Sequence, residues 1–196
     1  MSTIELTTDA NFGRARELLA QFGDLVKPAV MRGLNRAAEG LPKYITHSLR
    51  GEYNLPVSRI RRTFAVRRAS VGDLLATVRS TSGAMPLYLF GARPSKPGRS
   101  TGAGVAVDVQ GRKIVEGGTF VARMKSGHIG VFKRTGDSPR MPIHELFGPS
   151  VPTMVEAMDE RSGGGFSGEI ADEADRRFGA RIGHEVDQLL KRMGAR

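Results

Sequence analysis

The chain has 196 residues, a formal net charge of +10, 39% hydrophobic residues, no Trp and no Cys. That length suits one domain with a sizeable core, or one domain plus an arm, and the lack of Cys excludes a disulfide framework and any thiolate metal site. The opening residues MSTIELTTDANF lack the basic segment and apolar run of a signal peptide, and no window holds 18 uninterrupted apolar residues, so the expectation is folding in a reducing cytoplasm without a membrane partner.

Residues 2–8 suit a short edge strand or an extended arm. From about Asp9 the period becomes helical: Phe12, Ala15, Leu18, Leu19, Phe22, Leu25 and Val26 recur at helical spacing, with Thr8 or Asp9 as N-cap. Pro28 stands where a second helix would begin, and Val30, Leu34, Ala37, Ala38, Leu41, Ile45 and Leu49 extend the stripe past a kink at Pro42. Two helices, or one long broken helix, are expected across about 10–50. Val57–Arg62 suits one helical turn, and Thr63–Ser70, Leu74–Ser80 and Pro86–Ala92 suit strands. Residues 91–104, GARPSKPGRSTGAG, form a loop by composition, expected to order only against a neighbour. Residues 105–115 read as a hairpin turning at Gln110-Gly111.

A second hairpin spans 118–134, GTFVARMKSGHIGVFKR. A two-residue turn at Ser126-Gly127 sets Met124 opposite Ile129 and Ala122 opposite Val131. Phe120, Ala122, Met124, Ile129 and Val131 then share a buried face. Val121, Arg123, Lys125, His128 and Phe132 share the other, so one face of the hairpin is cationic. A three-residue turn would mix the faces.

Residues 140–154 are irregular at first, with Pro142, Pro149 and Pro152, then helical to about Asp159. A flexible linker is expected at 161–168 around Gly164 and Gly165. An amphipathic helix follows over 169–196, its stripe formed by Ile170, Ala174, Phe178, Ile182, Val186, Leu189, Leu190 and Met193. That stripe could pack on its own core or serve as an arm that packs on another subunit. Helices, then about six strands (63–134), then helices indicate an α+β fold: an antiparallel sheet flanked by N-terminal helices and a C-terminal helical arm, with 1–160 as the main domain.

The charge is uneven. Residues 1–49 carry 6 basic and 5 acidic side chains, residues 50–140 carry 17 and 5, and residues 141–196 carry 7 and 10. The middle block, at +12, therefore holds the whole excess. Within it Arg59, Arg61, Arg62, Arg67 and Arg68 interleave with Phe64 and Val66. They suit phosphate contacts, a solvated face, or pairing with carboxylates of a neighbouring subunit. Enzyme signals are weak: the four His residues lack metal-ligand spacing, residues 91–101 fail the phosphate-loop pattern, and no Ser stands in a nucleophile-elbow context. Neither catalysis nor a cofactor or metal is expected.

GLNRAAEG (33–40), YNLPVSRIRRTFAVRRAS (53–70), the 118–134 hairpin and RMPIHELFGPSVPTM (140–154) resemble the minor tail protein Z family of tailed bacteriophages and prophages. The resemblance spans roughly residues 30–155. It implies a structural virion protein that completes the tail, forming an oligomeric ring at its head-proximal end, the neck, through which DNA passes. Implied partners are copies of itself (a hexamer among the ring sizes), the tail terminator, tail tube and head-completion proteins, and phage DNA in transient, non-specific contact. The expected site is a subunit-interface or DNA-facing surface of Arg59, Arg61, Arg62, Arg67, Arg68, Arg123, Lys125, Lys133 and Arg134, with Ile170, Phe178, Ile182, Val186 and Leu189 as a subunit-packing stripe. The chain would assemble in the host cytoplasm and reside in the virion. The rival reading is a monomeric basic nucleic-acid-binding protein.

Overall fold

The computed structural model describes residues 2–7, 13–98, 103–135, 142–161 and 168–192, with the side chains of 2–7, 13, 14, 190 and 192 set aside. The expectations on Thr8, Asp9 and Phe12, on residues 99–102, on the joint at 162–167, on the Leu190 side chain and on Met193 fall outside the described residues.

After a strand β1 (Ser2–Thr7), the helical stretch resolves into α1 (Gly13–Phe22), one 3-10 turn (Gly23–Val26) and α2 (Lys27–Glu52). Pro28 lies in the first turn of α2, where its missing N–H costs nothing. Pro42 lies inside and the helix runs on through it. Its carbonyl accepts a 2.6 Å hydrogen bond from the Thr46 hydroxyl one turn later. The expected core stripe, Val30 to Leu49, is buried throughout.

A short helix α3 (Val57–Arg61) leads into β2 (Phe64–Arg67), β3 (Thr77–Ser82) and β4 (Ala84–Pro86). Then come β5 (Val105–Asp108), β6 (Lys113–Glu116), β7 (Thr119–Arg123), β8 (Ile129–Arg134), β9 (Ile143–Glu145) and β10 (Phe147–Ser150). Helices α4 (Val151–Arg161) and α5 (Glu169–Arg192) close the chain. The fold is α+β. Instead of one sheet of about six strands, the described residues hold four small antiparallel sheets: β1-β3-β2, β4-β10, β5-β6 and β7-β8-β9.

Two segments depart from expectation. Pro86–Ala92 turns away as a 3-10 segment (Leu87–Leu89) after three strand residues. Phe90 is driven into the core there, and Gly91 takes a φ of +67°. The proline-rich run from 142 to 150 carries β9 and β10, both at sheet edges, where a missing Pro N–H leaves no ladder bond unmade.

Two apolar clusters hold the molecule. The larger joins α2, α4, α5 and strands β2 and β3; the smaller is Ala92, Val105, Val107, Val121 and Val131. Helix α5 runs back along α2, so that Arg32 meets Glu185 and Gly33 meets Phe178. A Cβ on Gly33 would lie 2.9 Å from the Phe178 ring, so the close approach needs a residue without a side chain. Ile170, Ala174, Phe178 and Ile182 are buried in this contact, with Val186 and Leu189 packed at its margin. The stripe expected to pack on another subunit is thus occupied within its own chain. Among the described residues no helix is long and apolar enough to cross a membrane.

Candidate functional site

The 118–134 hairpin forms in a different register from the one expected. The Gly127 N–H donates to the Met124 carbonyl at 2.9 Å, and the Met124 N–H to the His128 carbonyl at 2.8 Å. With Gly127 at φ +86°, Lys125-Ser126-Gly127 is a three-residue loop, a type I turn closed by a left-handed Gly. That one extra residue slips each pair. Phe120 stands opposite Phe132, Val121 opposite Val131, Ala122 opposite Gly130, and Arg123 opposite Ile129.

The expected apolar face of Phe120, Ala122, Met124, Ile129 and Val131 therefore does not exist as a unit. Val121 and Val131 are buried, at 1% and 0% exposure, while Phe120 and Ala122 lie half-buried on the opposite face. The cationic face dissolves with it. Arg123 and Lys133 share a face with Val121, Arg134 shares one with Phe120, and Lys125 sits in the loop. Mixing is tolerated because Arg123 and Lys125 stay exposed and the other charges find local partners. Lys133 pairs with Glu116 at 2.8 Å, and the Arg134 guanidinium lies 4.3 Å from the centre of the Phe120 ring. His128 meets Glu145 at 2.7 Å, a contact that only strand β9 makes possible.

The arginine run divides as well. Arg67 bonds Asp73 at 2.6 Å and Arg68 bonds Glu39 at 2.7 Å. Arg59, Arg61 and Arg62 are exposed around α3. Of the nine cations expected to act together, Arg59, Arg61, Arg62, Arg123 and Lys125 are exposed and have no ion pair among the described residues.

A different cationic cluster lies between α2 and α5. A groove of about 560 Å³ is lined by Arg36, Lys43, Arg176, Arg177 and Arg181, with Glu39 as its one carboxylate among the described residues. Beneath it two buried carboxylates anchor the arginines. Glu173 accepts from Arg176 and Arg177, and Glu185 from Arg32 and Arg181. Burial opposes the charge on Glu173, but the hydrogen bonds from Arg176 and Arg177 outweigh it and hold its carboxyl below the usual range. Block-wise charge counting hides this cluster, because its residues come from segments of net +1 and −3. Helical spacing would have found it: Arg32, Arg36 and Lys43 share one side of α2.

A second cavity, about 730 Å³, is lined by residues including Asn54, Arg93, Lys96, Asp108 and Lys113. Asp108 Oδ1 is buried there without a hydrogen-bond partner among the described residues.

Among known proteins, the family model described as Prophage minor tail protein Z (GPZ) matches residues 17–196. The match takes in α5 and most of α1. No curated protein and no solved structure matches the chain.

Proposed function

The chain belongs to the prophage minor tail protein Z family, structural components of the phage tail, and from that membership we propose that it is a tail-completion subunit, assembled as an oligomeric ring at the head-proximal end of the tail, through which DNA passes. The observation that carries this reading is strand β6. Among the described residues it has β5 on one side and no strand on the other, and its neighbouring residues Ile114 and Val115 are 49% and 54% exposed. Successive strand residues point to opposite faces, so this free edge is apolar on both. Such an edge invites pairing unless something covers it. A neighbouring subunit would cover it in a ring, where one surface of each copy meets a different surface of the next.

Because α5 is packed on its own α2, the buried area between subunits comes from the β elements. The unpaired Arg59, Arg61, Arg62, Arg123 and Lys125 set register against acidic positions such as Glu156, Glu160, Asp172 and Asp175, all exposed. Ring sizes include the hexamer. The ring abuts the tail terminator, the tail tube and head-completion proteins, and it touches passing DNA only transiently, since tight binding would impede exit. The subunit acts without catalysis, is built into the virion, and assembles in the host cytoplasm.

The test is solution mass with a paired disruption. The purified chain self-associates to a closed multiple of 21.2 kDa, and Ile114→Glu with Val115→Glu leaves a folded monomer. A parent protein that stays monomeric at high concentration and in the presence of tails defeats the ring.

A further inference from the structure

Along α2, exposed positions recur at intervals of three and four residues and carry Arg32, Arg36, Glu39, Lys43, His47 and Arg50. At 1.5 Å per residue this row is about 27 Å long. Its only carboxylate, Glu39, is held by Arg68. Across the groove α5 adds Arg176, Arg177 and Arg181. The acids below them, Glu173 and Glu185, are buried and each already bonds two arginines, so neither lines the groove. Arg36 and Lys43 have no ion pair among the described residues. A compact acidic patch would answer a few of these charges. A row of this length, with a second bank of cations facing its Arg36–Lys43 stretch, fits a continuous line of negative charge.

We propose that the trough between α2 and α5 binds the phosphate backbone of double-stranded DNA. The row matches about eight base pairs of duplex at 3.4 Å each, and each contact releases condensed counterions. The binding is independent of sequence: the cations meet the backbone broadside and, among the described residues, no aromatic one stands in the groove lining to stack on a base. The site is distinct from Arg59, Arg61 and Arg62 and from the hairpin, and Arg68 reaches it only through Glu39. It rests on the DNA-passage part of the proposed function, but it is a property of the single subunit and is measured without assembly.

The test is binding of a short fluorescent DNA duplex of random sequence across a salt series. Arg36→Glu with Lys43→Glu should weaken binding by at least about tenfold and lower the slope of log affinity against log salt by about two. Arg61→Glu with Arg62→Glu should change affinity by less than about twofold. Unchanged thermal melting confirms that each variant folds, and Arg36→Gln with Lys43→Gln gives the same direction without reversed charge. The proposal is overturned if the groove variants bind like the parent, if the Arg61/Arg62 pair causes the larger loss, or if the parent fails to bind at low salt. It is equally overturned if the groove variants lose only self-association, since the occupant is then an acidic surface of a second copy. A ring that forms while DNA binding fails removes this site alone.

Discussion

The α2–α5 helix pair and the β7–β8 hairpin are both amphipathic and cation-rich, yet they settle their charges in opposite ways. In the helix pair the charges are sorted: Glu173 and Glu185 lie buried under arginines, and the remaining cations line one trough. In the hairpin they are dispersed over two faces and a loop, and Lys133, Arg134 and His128 are each satisfied locally. The cause is periodicity. A helical stripe spans a wide arc and survives a misplaced residue, whereas a one-residue slip on a strand exchanges its faces. The helix pair can therefore present a coherent charged surface and the hairpin cannot.

The largest effect that could break this contrast lies in the hairpin. Val121→Asp should destabilise the fold by more than about 4 kcal/mol in chemical denaturation, because it buries an unpaired charge. Ala122→Asp, on the opposite face, should cost less than half as much. The reverse order would restore the two-residue turn. Val131→Asp should match Val121→Asp, but Val131 is buried in either register and does not discriminate between them.

In the helix pair, Phe178→Ala should cost about 3–4 kcal/mol, since the ring is fully buried against α2. A loss below about 1 kcal/mol would show that α5 does not pack there in the subunit. Next in size, Gly33→Val should cost about 1–3 kcal/mol by overpacking against Phe178. In the Phe178→Ala background that cost should shrink, because the added methyls enter the space left by the ring. Simple additivity would contradict the contact.

The smallest effect is a change of slope. Glu173 has its folded-state carboxyl held low, so its contribution to stability is present above the ordinary carboxylate value near 4.5 and is lost as pH falls through the depressed folded value. Glu173→Gln should flatten the acid limb of stability against pH in that window and leave the neutral side without an added slope. An unaltered acid limb would mean that the arginine pairs do not hold the carboxylate.

What the sequence revealed follows the same division. The stripe from Ile170 to Ile182 was plain because the same side of a long helix repeats over several turns. Its destination was not, because an amphipathic pattern is silent on whose core it joins. The hairpin register turned on Lys125-Ser126-Gly127, where a loop longer by one residue outweighed the tidier segregation of faces. Strands β9 and β10 were hidden by Pro142 and Pro149, which argue against a central strand and are compatible with an edge. The trough was hidden by averaging: Arg36 and Lys43 are offset by acids elsewhere in their own segment, and only the fold brings them beside Arg176 and Arg181.

The most direct test of the tail-completion ring is an electron-microscopic reconstruction of tails assembled with a tagged chain. The expected result is a closed ring of several tagged copies at the head-proximal end, and its absence, with unjoined heads and tails, when the chain is withheld. Tag density along the tube or at the distal tip, or a single copy at the neck, would contradict it.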